Sequence, residues 1–411
     1  MENNKYLKYI KMAFFIAAFT ALAFIVVFLL SGCTYSRGLE DLAIVSGISV
    51  DREPGLSLHQ KGEMDEMENA ETSSMGTLNI TAQIVSFSSD ETGGGSANGP
   101  SGSWNLDLRG DSVFDTIRSA LGKSPHKLYL SHNQVLLFGK ETAESGLKNY
   151  VDFFVRDYEA RLNVPIAVTE GKASEVLKLE SENYKLSSEY LNQLIELQQN
   201  HGDSVETRLF DFVQDLVAWE KSTLVPYVKL VGEEEQKEIE VSGVAVFKRG
   251  TMVGLLTPDE TRGVSWVKGM VSEGHVTVTT EQGVATIEIT DASENHSLSF
   301  DEEGKLHVKI EIEQTGIIGD ATGGAGSCYE KNIEELQKAV ETKIKSEIQA
   351  GKKKLMELRC DAYGFGDALR RTQVSNWKKF NSDWDKVISE MVFEVEVKST
   401  IKNTGALGEN V

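Results

Sequence analysis

The chain has 411 residues, 63 of them acidic against 42 basic, and a formal net charge of -21. That imbalance excludes nucleic acid and anionic lipid headgroups as partners held by charge, because both repel it. The length leaves room for two or three domains, each burying its own core. Three cysteines are too few for a disulfide scaffold.

Lys5, Lys8 and Lys11 precede nineteen uncharged, mostly apolar residues (12–30), and Leu30-Ser31-Gly32-Cys33 follows at once. A basic stretch, an apolar stretch and a small-residue stop make an export signal. With cysteine closing it, the stop has the pattern of a bacterial lipobox, in which Cys33 is lipidated and becomes the new N-terminus. An uncleaved transmembrane helix competes with this, since nineteen residues span about 28 Å. Under either reading the lysines stay inside and the bulk of the chain is exported and tethered. Removing residues 1–32 takes away three lysines and Glu2, a net +2, and leaves -23. The tether is therefore hydrophobic, and a diacylated cysteine is a two-chain anchor strong enough to serve.

A strand is expected at residues 42–50, then an acidic loop over 51–76. Leu78, Ile80, Ala82 and Ile84 alternate with Asn79, Thr81 and Gln83, the period-two signature of a strand with one buried face. Residues 88–103 are rich in Gly and Ser and read as a mobile loop. A helix over 112–120, a strand at 134–138, a helix from about Gly146 and a strand at 165–168 follow. Helical patterns cover 187–199 and 205–219.

The run Glu233-Glu234-Glu235-Gln236-Lys237-Glu238 holds no apolar residue and marks either the boundary between two halves or a solvated hairpin. Beyond it, 241–247 and 252–256 form a hairpin, and strands are expected at 276–280, 284–290 and 306–313. A Gly-rich loop at 316–326 feeds one amphipathic helix over 330–358, whose apolar positions recur at three, four and seven. That helix would be about 42 Å long and would hold Cys328 and Cys360 beyond its opposite ends, too far apart for a disulfide. Phe393, Val395, Val397 and Ile401 suggest a closing strand. The fold class is α+β with mixed α/β order and several domains: mixed or antiparallel sheets packed with helices, and the long helix in the C-terminal domain. The divisions are a signal peptide at 1–32, an N-terminal α/β region at 33–232 in one or two subdomains divided near 165, and a C-terminal α+β domain at 239–405.

Catalytic signatures are sparse. Gly319-Asp320-Ala321-Thr322-Gly323-Gly324-Ala325-Gly326 precedes a helix but lacks the Lys-Ser/Thr of a P-loop and the spacing of a dinucleotide fingerprint. Seven histidines are scattered with no pair at i,i+4 and no HExxH. No GxSxG or SxxK motif marks a nucleophile. No catalytic residue, metal site or cofactor is expected.

Asp361-Ala362-Tyr363-Gly364-Phe365-Gly366 is followed by Trp377 and Trp384, seven apart and so expected on one helical face. With the lipobox, these features resemble the Ger(x)C family, the C-subunit lipoproteins of nutrient germinant receptors in endospore-forming bacteria. The family's opening pattern is echoed by residues 33–41 and by Gly47-Ile48-Ser49-Val50-Asp51, although Tyr35 and Gly38 stand where Trp and Glu are usual. Arg156-Asp157 through Arg161, with Val164 and Glu170-Gly171-Lys172-Ala173, is similar to its central segment. Ser242-Gly243-Val244-Ala245-Val246-Phe247-Lys248, Gly254-Leu255-Leu256 and Glu260-Thr261-Arg262-Gly263 are similar to the start of its C-terminal domain.

The resemblance implies a non-enzymatic lipoprotein on the outer face of the spore inner membrane, assembled with an A-type multispanning subunit and a B-type transporter-like subunit. It implies lipidation at Cys33, with Leu30, Ser31 and Gly32 completing the lipobox. Asp361, Gly364, Phe365, Gly366, Trp377 and Trp384 are then family-motif residues that shape and fill the C-terminal core. An extracytoplasmic solute-binding lipoprotein is the alternative; it would need a deep cleft lined by convergent polar groups.

Overall fold

The computed structural model describes residues 3–30, 41–53, 77–87, 100–181, 183–218, 221–233, 236–323 and 330–402. Helix α1 (Asn3–Leu30) comes first, and its large apolar side chains from Met12 to Phe24 are exposed. Among the described residues no helix is long and apolar enough to cross a membrane. Ser31, Gly32 and Cys33 lie outside the described residues, as does Cys328.

Parallel strands β1 (Leu42–Glu53), β5 (Val135–Gly139), β6 (Ile166–Thr169) and β7 (Ser222–Val231) form the middle of a large mixed sheet. Their runs are apolar because both faces are covered: every residue of β5 and β6 is buried. Antiparallel pairs flank them. On one side lie β2 (Thr77–Phe87) and β3 (Pro100–Gly110), and on the other β8 (Glu238–Lys248) and β9 (Thr251–Leu256). The short β4 (Lys127–Tyr129) pairs with the start of β1.

One face of this sheet carries helices α2 (Val113–Arg118), α3 (Lys140–Glu144), α4 (Lys148–Arg156) and α7 (Leu209–Val217), whose inner residues join Ile48, Phe138 and Val168 in one core. The opposite face packs α5 (Ala173–Leu177) and α6 (Ser187–His201) on Val135, Leu137 and Val228. Because α5 and α6 cover that side, β2 is buried on both faces rather than one. Gln83, 2% exposed, donates to Leu177 O and to Ser187 Oγ, each at 2.9 Å, and accepts from Ser188 Oγ at 2.7 Å.

The acidic run after Val231 lies in the β7–β8 hairpin, where Gln236 N donates to Glu233 O at 2.8 Å. The first sheet thus draws two strands from beyond residue 238. Capping box Thr257–Glu260 starts α8 (Pro258–Val267), which packs with α9 (Glu330–Leu358) between β8–β9 and a second sheet. That sheet runs β10 (His275–Thr280), β11 (Gly283–Phe300), β12 (Leu306–Ala321), β13 (Val392–Lys402), with the last pair parallel. Leu306, Val308, Ile310 and Ile312 are buried in the same core as Leu336, Val340, Ile344 and Ile348 of α9, which runs unbroken over the expected span.

Several expectations need correcting. Residues 100–103 of the Gly/Ser-rich stretch belong to β3, because Leu106 and Leu108 give that strand a buried side and Pro100 is tolerated on a sheet edge; residues 88–99 lie outside the described residues. The helix expected over 205–219 starts only at Leu209. Residues before it are extended, Thr207 O accepting from Ile166 N at 2.9 Å and Leu209 N donating to Val164 O at 2.9 Å. The loop expected from 316 is strand through Ala321, since β11 and β13 both hydrogen-bond to it and Ile317 and Ile318 continue its apolar pattern. Only three residues of the acidic loop, Asp51, Arg52 and Glu53, are described, as the end of β1, and 54–76 lie outside.

Candidate functional site

The family-motif residues converge on one carboxylate. Asp361, 2% exposed, follows α9 and precedes α10 (Phe365–Thr372). A helix leaves its first amides without partners, and Asp361 supplies them from outside. Its Oδ1 accepts from Gly364 N at 2.9 Å and Phe365 N at 3.1 Å, and its Oδ2 from Gly366 N at 2.7 Å. Trp384 Nε1 adds a fourth donor, to Oδ2 at 3.1 Å. Burial pushes the Asp361 carboxyl up from its ordinary value, and the three amides and the indole oppose that shift.

Trp377 and Trp384 do not share one helix. Trp377 lies on α11 (Val374–Phe380) and Trp384 opens α12 (Trp384–Glu390), with a 3-10 turn at Asn381–Asp383 between them. Asn, Ser and Asp have low helix propensity, and the run of all three marks the place where the helix is interrupted. The indoles still meet edge to face, centroids 5.2 Å apart. Gly364 has φ +84°, which a side chain would strain, and a Cβ on Gly366 would stand 3.0 Å from Trp384 Nε1 and 3.2 Å from Trp377 Cζ3. Phe365 is buried and stacks on Tyr363 at 4.9 Å. All six motif residues therefore belong to one interior arrangement: a buried acid caps a helix and anchors a tryptophan.

A second carboxylate does the same work in the first sheet. Asp51, closing the Gly47–Asp51 motif, accepts from Ala173 N at 2.7 Å and Ser174 N at 2.9 Å, so it caps α5 of the 170–173 motif. Glu347, inside α9, was not singled out by the sequence. It accepts from Trp266 Nε1 at 2.9 Å and lies 3.3 Å from Lys343 Nζ and 3.7 Å from Arg262 Nε of the 260–263 motif. Burial pushes its carboxyl up, and Arg262, Trp266 and Lys343 oppose this. The signal for it was present: position 347 falls three after Ile344, on the helix's apolar stripe.

These acids are consumed by helix starts and a buried ion pair. Among the described residues no group of three or more His, Cys, Asp or Glu is placed to hold a metal ion. Cys360 is buried as a free thiol.

Comparison with known proteins accounts for both ends of this pattern. A family model described as "Spore germination protein N-terminal domain" matches residues 36–230, and one described as "Spore germination B3/ GerAC like, C-terminal" matches residues 242–405. Two relatives from Bacillus subtilis (strain 168) align over nearly the full length. Spore germination protein KC is 23% identical over 403 residues, 92% of this chain and 93% of its own; spore germination protein B3 is 23% identical over 394 residues, 94% and 97%. The crystal structure of the GerBC protein superposes with a TM-score of 0.56 at 20% identity, covering 81% of this chain and 95% of that one, and shares the fold. With family models matched on both sides of the β7–β8 hairpin, this chain belongs to the GerAC-like family of spore germination proteins.

Proposed function

We propose that this chain is the lipid-anchored C-type subunit of a nutrient germinant receptor, a non-enzymatic lipoprotein held at the outer face of the spore inner membrane by Cys33 and assembled with A-type and B-type membrane subunits. The carrying observation is the family match across both halves behind a start that runs from the apolar α1 to Leu30-Ser31-Gly32-Cys33. A two-chain lipid at Cys33 would hold a strongly acidic chain where electrostatics would not. It would also raise the effective concentration of the folded part next to its membrane partners, so that modest interfaces suffice. The buried acids described above support a scaffold role, since each is occupied by backbone amides, an indole or a cation.

The test is made in the spore-former that carries the gene. Spores without the chain are expected to lose the response to one class of nutrient while still germinating by a non-nutrient trigger. Cys33→Ala is expected to release the chain from the membrane fraction and remove that response. The chain is expected to co-purify with the A-type and B-type subunits from detergent-solubilised spore membranes. Germination unchanged in the deletion, or no complex with either subunit, would overturn the proposal.

A further inference from the structure

Twelve large apolar side chains are exposed among the described residues beyond α1, and seven of them lie on one layer. Phe114 and Leu121 stand on α2 and the turn after it, Val155, Tyr158 and Leu162 on α4 and the loop that leaves it, and Phe210 and Val217 on α7. Their helices pack inward on the same face of the first sheet, so these tips point the other way. Leu42, the first residue of β1, lines a groove of about 590 Å³ with Leu121 and Tyr158, and a second groove continues from Arg118 and Tyr158 to Phe114. The chain arriving from Cys33 therefore enters the fold at this layer. Nine peptide steps separate Cys33 from Leu42, which bounds the distance to the lipidated residue at about 32 Å.

We infer that the outer side of the α2–α4–α7 layer is a membrane-contact face, its aromatic and aliphatic tips seated in the headgroup region of the bilayer that Cys33 is anchored in. The inference rests on the anchor reading above. Its chemistry favours lipid over a dry protein contact. Arg118 lies over the Phe114 ring at 5.2 Å and Lys127 over the Tyr158 ring at 5.7 Å, the pairing of ring and cation that suits an interface of acyl chain and phosphate. Asp152 and Glu159 on this face are each paired, with Arg156 and Lys127, and Asp157, which lines both grooves, accepts from Glu159 N at 2.8 Å. Val155, Leu162, Phe210 and Val217 line one further groove, so the apolar tips rim a series of adjoining grooves across the layer, a broad surface suited to insertion of about 5–10 Å.

The full lipidated chain, carrying Cys328→Ser, is reconstituted into phosphatidylcholine vesicles with an environment-sensitive fluorophore at Leu121→Cys, Tyr158→Cys or, on the opposite face of the sheet, Leu197→Cys. All three positions are exposed, at 65%, 84% and 59%, so labelling leaves the core intact, and buried Cys360 stays unlabelled. Labels at 121 and 158 are expected to shift to the blue and lose most of their emission to headgroup-level nitroxide lipids, while the label at 197 keeps its own. Vesicles that float with the chain but leave all three labels equally bright would overturn the contact face alone. A shift at 121 and 158 only after membrane subunits are added would overturn it too, assigning the face to protein. A chain that fails to float would overturn the anchor reading and the face together.

Discussion

Asp51 and Ala173 are 122 positions apart and joined at 2.7 Å, carboxylate to backbone amide, with Ser174 N completing the pair at 2.9 Å. The bond closes the first turn of α5 and ties it to the end of β1. Asp51→Ala would leave two amides without a partner in a buried site and is expected to cost about 2–3 kcal/mol, while Asp51→Asn, which keeps one acceptor, should cost about 1 kcal/mol. Urea midpoints of the full chain in detergent check the order. Equal midpoints for both variants and the parent would show that α5 is capped in another way.

Asp361 repeats the device at α10, and there the neighbouring glycine is the sharper probe. A methyl at Gly366 would press on both Trp384 and Trp377. Gly366→Ala is expected to destabilise by about 1–3 kcal/mol as the indoles are pushed off their edge-to-face contact. Near-ultraviolet circular dichroism should record the change in the tryptophan environment. A parental spectrum and midpoint would sink this account of the motif.

How much of this was legible depended on where apolar side chains fell. The β12 alternation and the α9 stripe were readable because one face of each meets the core and the other meets water, so period and burial coincide. Strand β3 was hidden: Pro100, Gly102 and two serines look like loop chemistry, and only pairing with β2 makes them strand. Thr81 and Gln83 looked solvated because polar residues alternate outward by default, yet both are buried: Gln83 finds its partners on α5 and α6, and Thr81 donates to Asp107 Oδ1 of β3 at 2.6 Å. At the candidate site, the residue types around Asp361 were visible as a cluster. Their convergence on one carboxylate was not, because side-chain hydrogen bonds leave no period in a sequence.

His296 offers a pH test. Its Nδ1 lies 2.7 Å from Glu294 Oε1, and that hydrogen bond raises the imidazole above its ordinary value, partial burial opposing. A group raised in the folded state contributes stability that is full below about pH 6.5 and is lost as the pH climbs through the folded value. The chain should therefore melt slightly lower at pH 8 than at pH 6 for this reason. The share is expected to stay under about 1 kcal/mol, because the pair is partly exposed and screened. His296→Gln should remove that share of the difference; an undiminished pH effect in the variant would assign it elsewhere.

Cys360 tests the continuity of α9. It is buried and free, and burial pushes the thiol up, which together make it a poor nucleophile. Alkylation of the folded chain should spare Cys360, and urea should expose it to the reagent. Mass mapping without reductant should return no peptide joining Cys328 to Cys360, since α9 spans Glu330–Leu358 between them. Finding that peptide would mean the helix is interrupted.

Gly263 is where α8 crosses α9 most closely. A Cβ there would fall 1.9 Å from the Glu347 carbonyl oxygen, an overlap with backbone that no rotamer can relieve. Alanine must then push the helices apart, and the displaced α8 carries the two side chains, Arg262 and Trp266, that serve the Glu347 carboxylate. Overpacking alone costs about 1–3 kcal/mol, and a buried carboxylate losing its partners adds to it. Gly263→Ala is accordingly expected to cost at least about 3 kcal/mol, more than Trp266→Phe, which removes a single donor for about 1–3 kcal/mol. Denaturant midpoints of the two variants give the comparison. If Gly263→Ala proved the milder of the two, the crossing would have slack that this geometry denies, and the spacing of the helices would have to come from the second sheet instead.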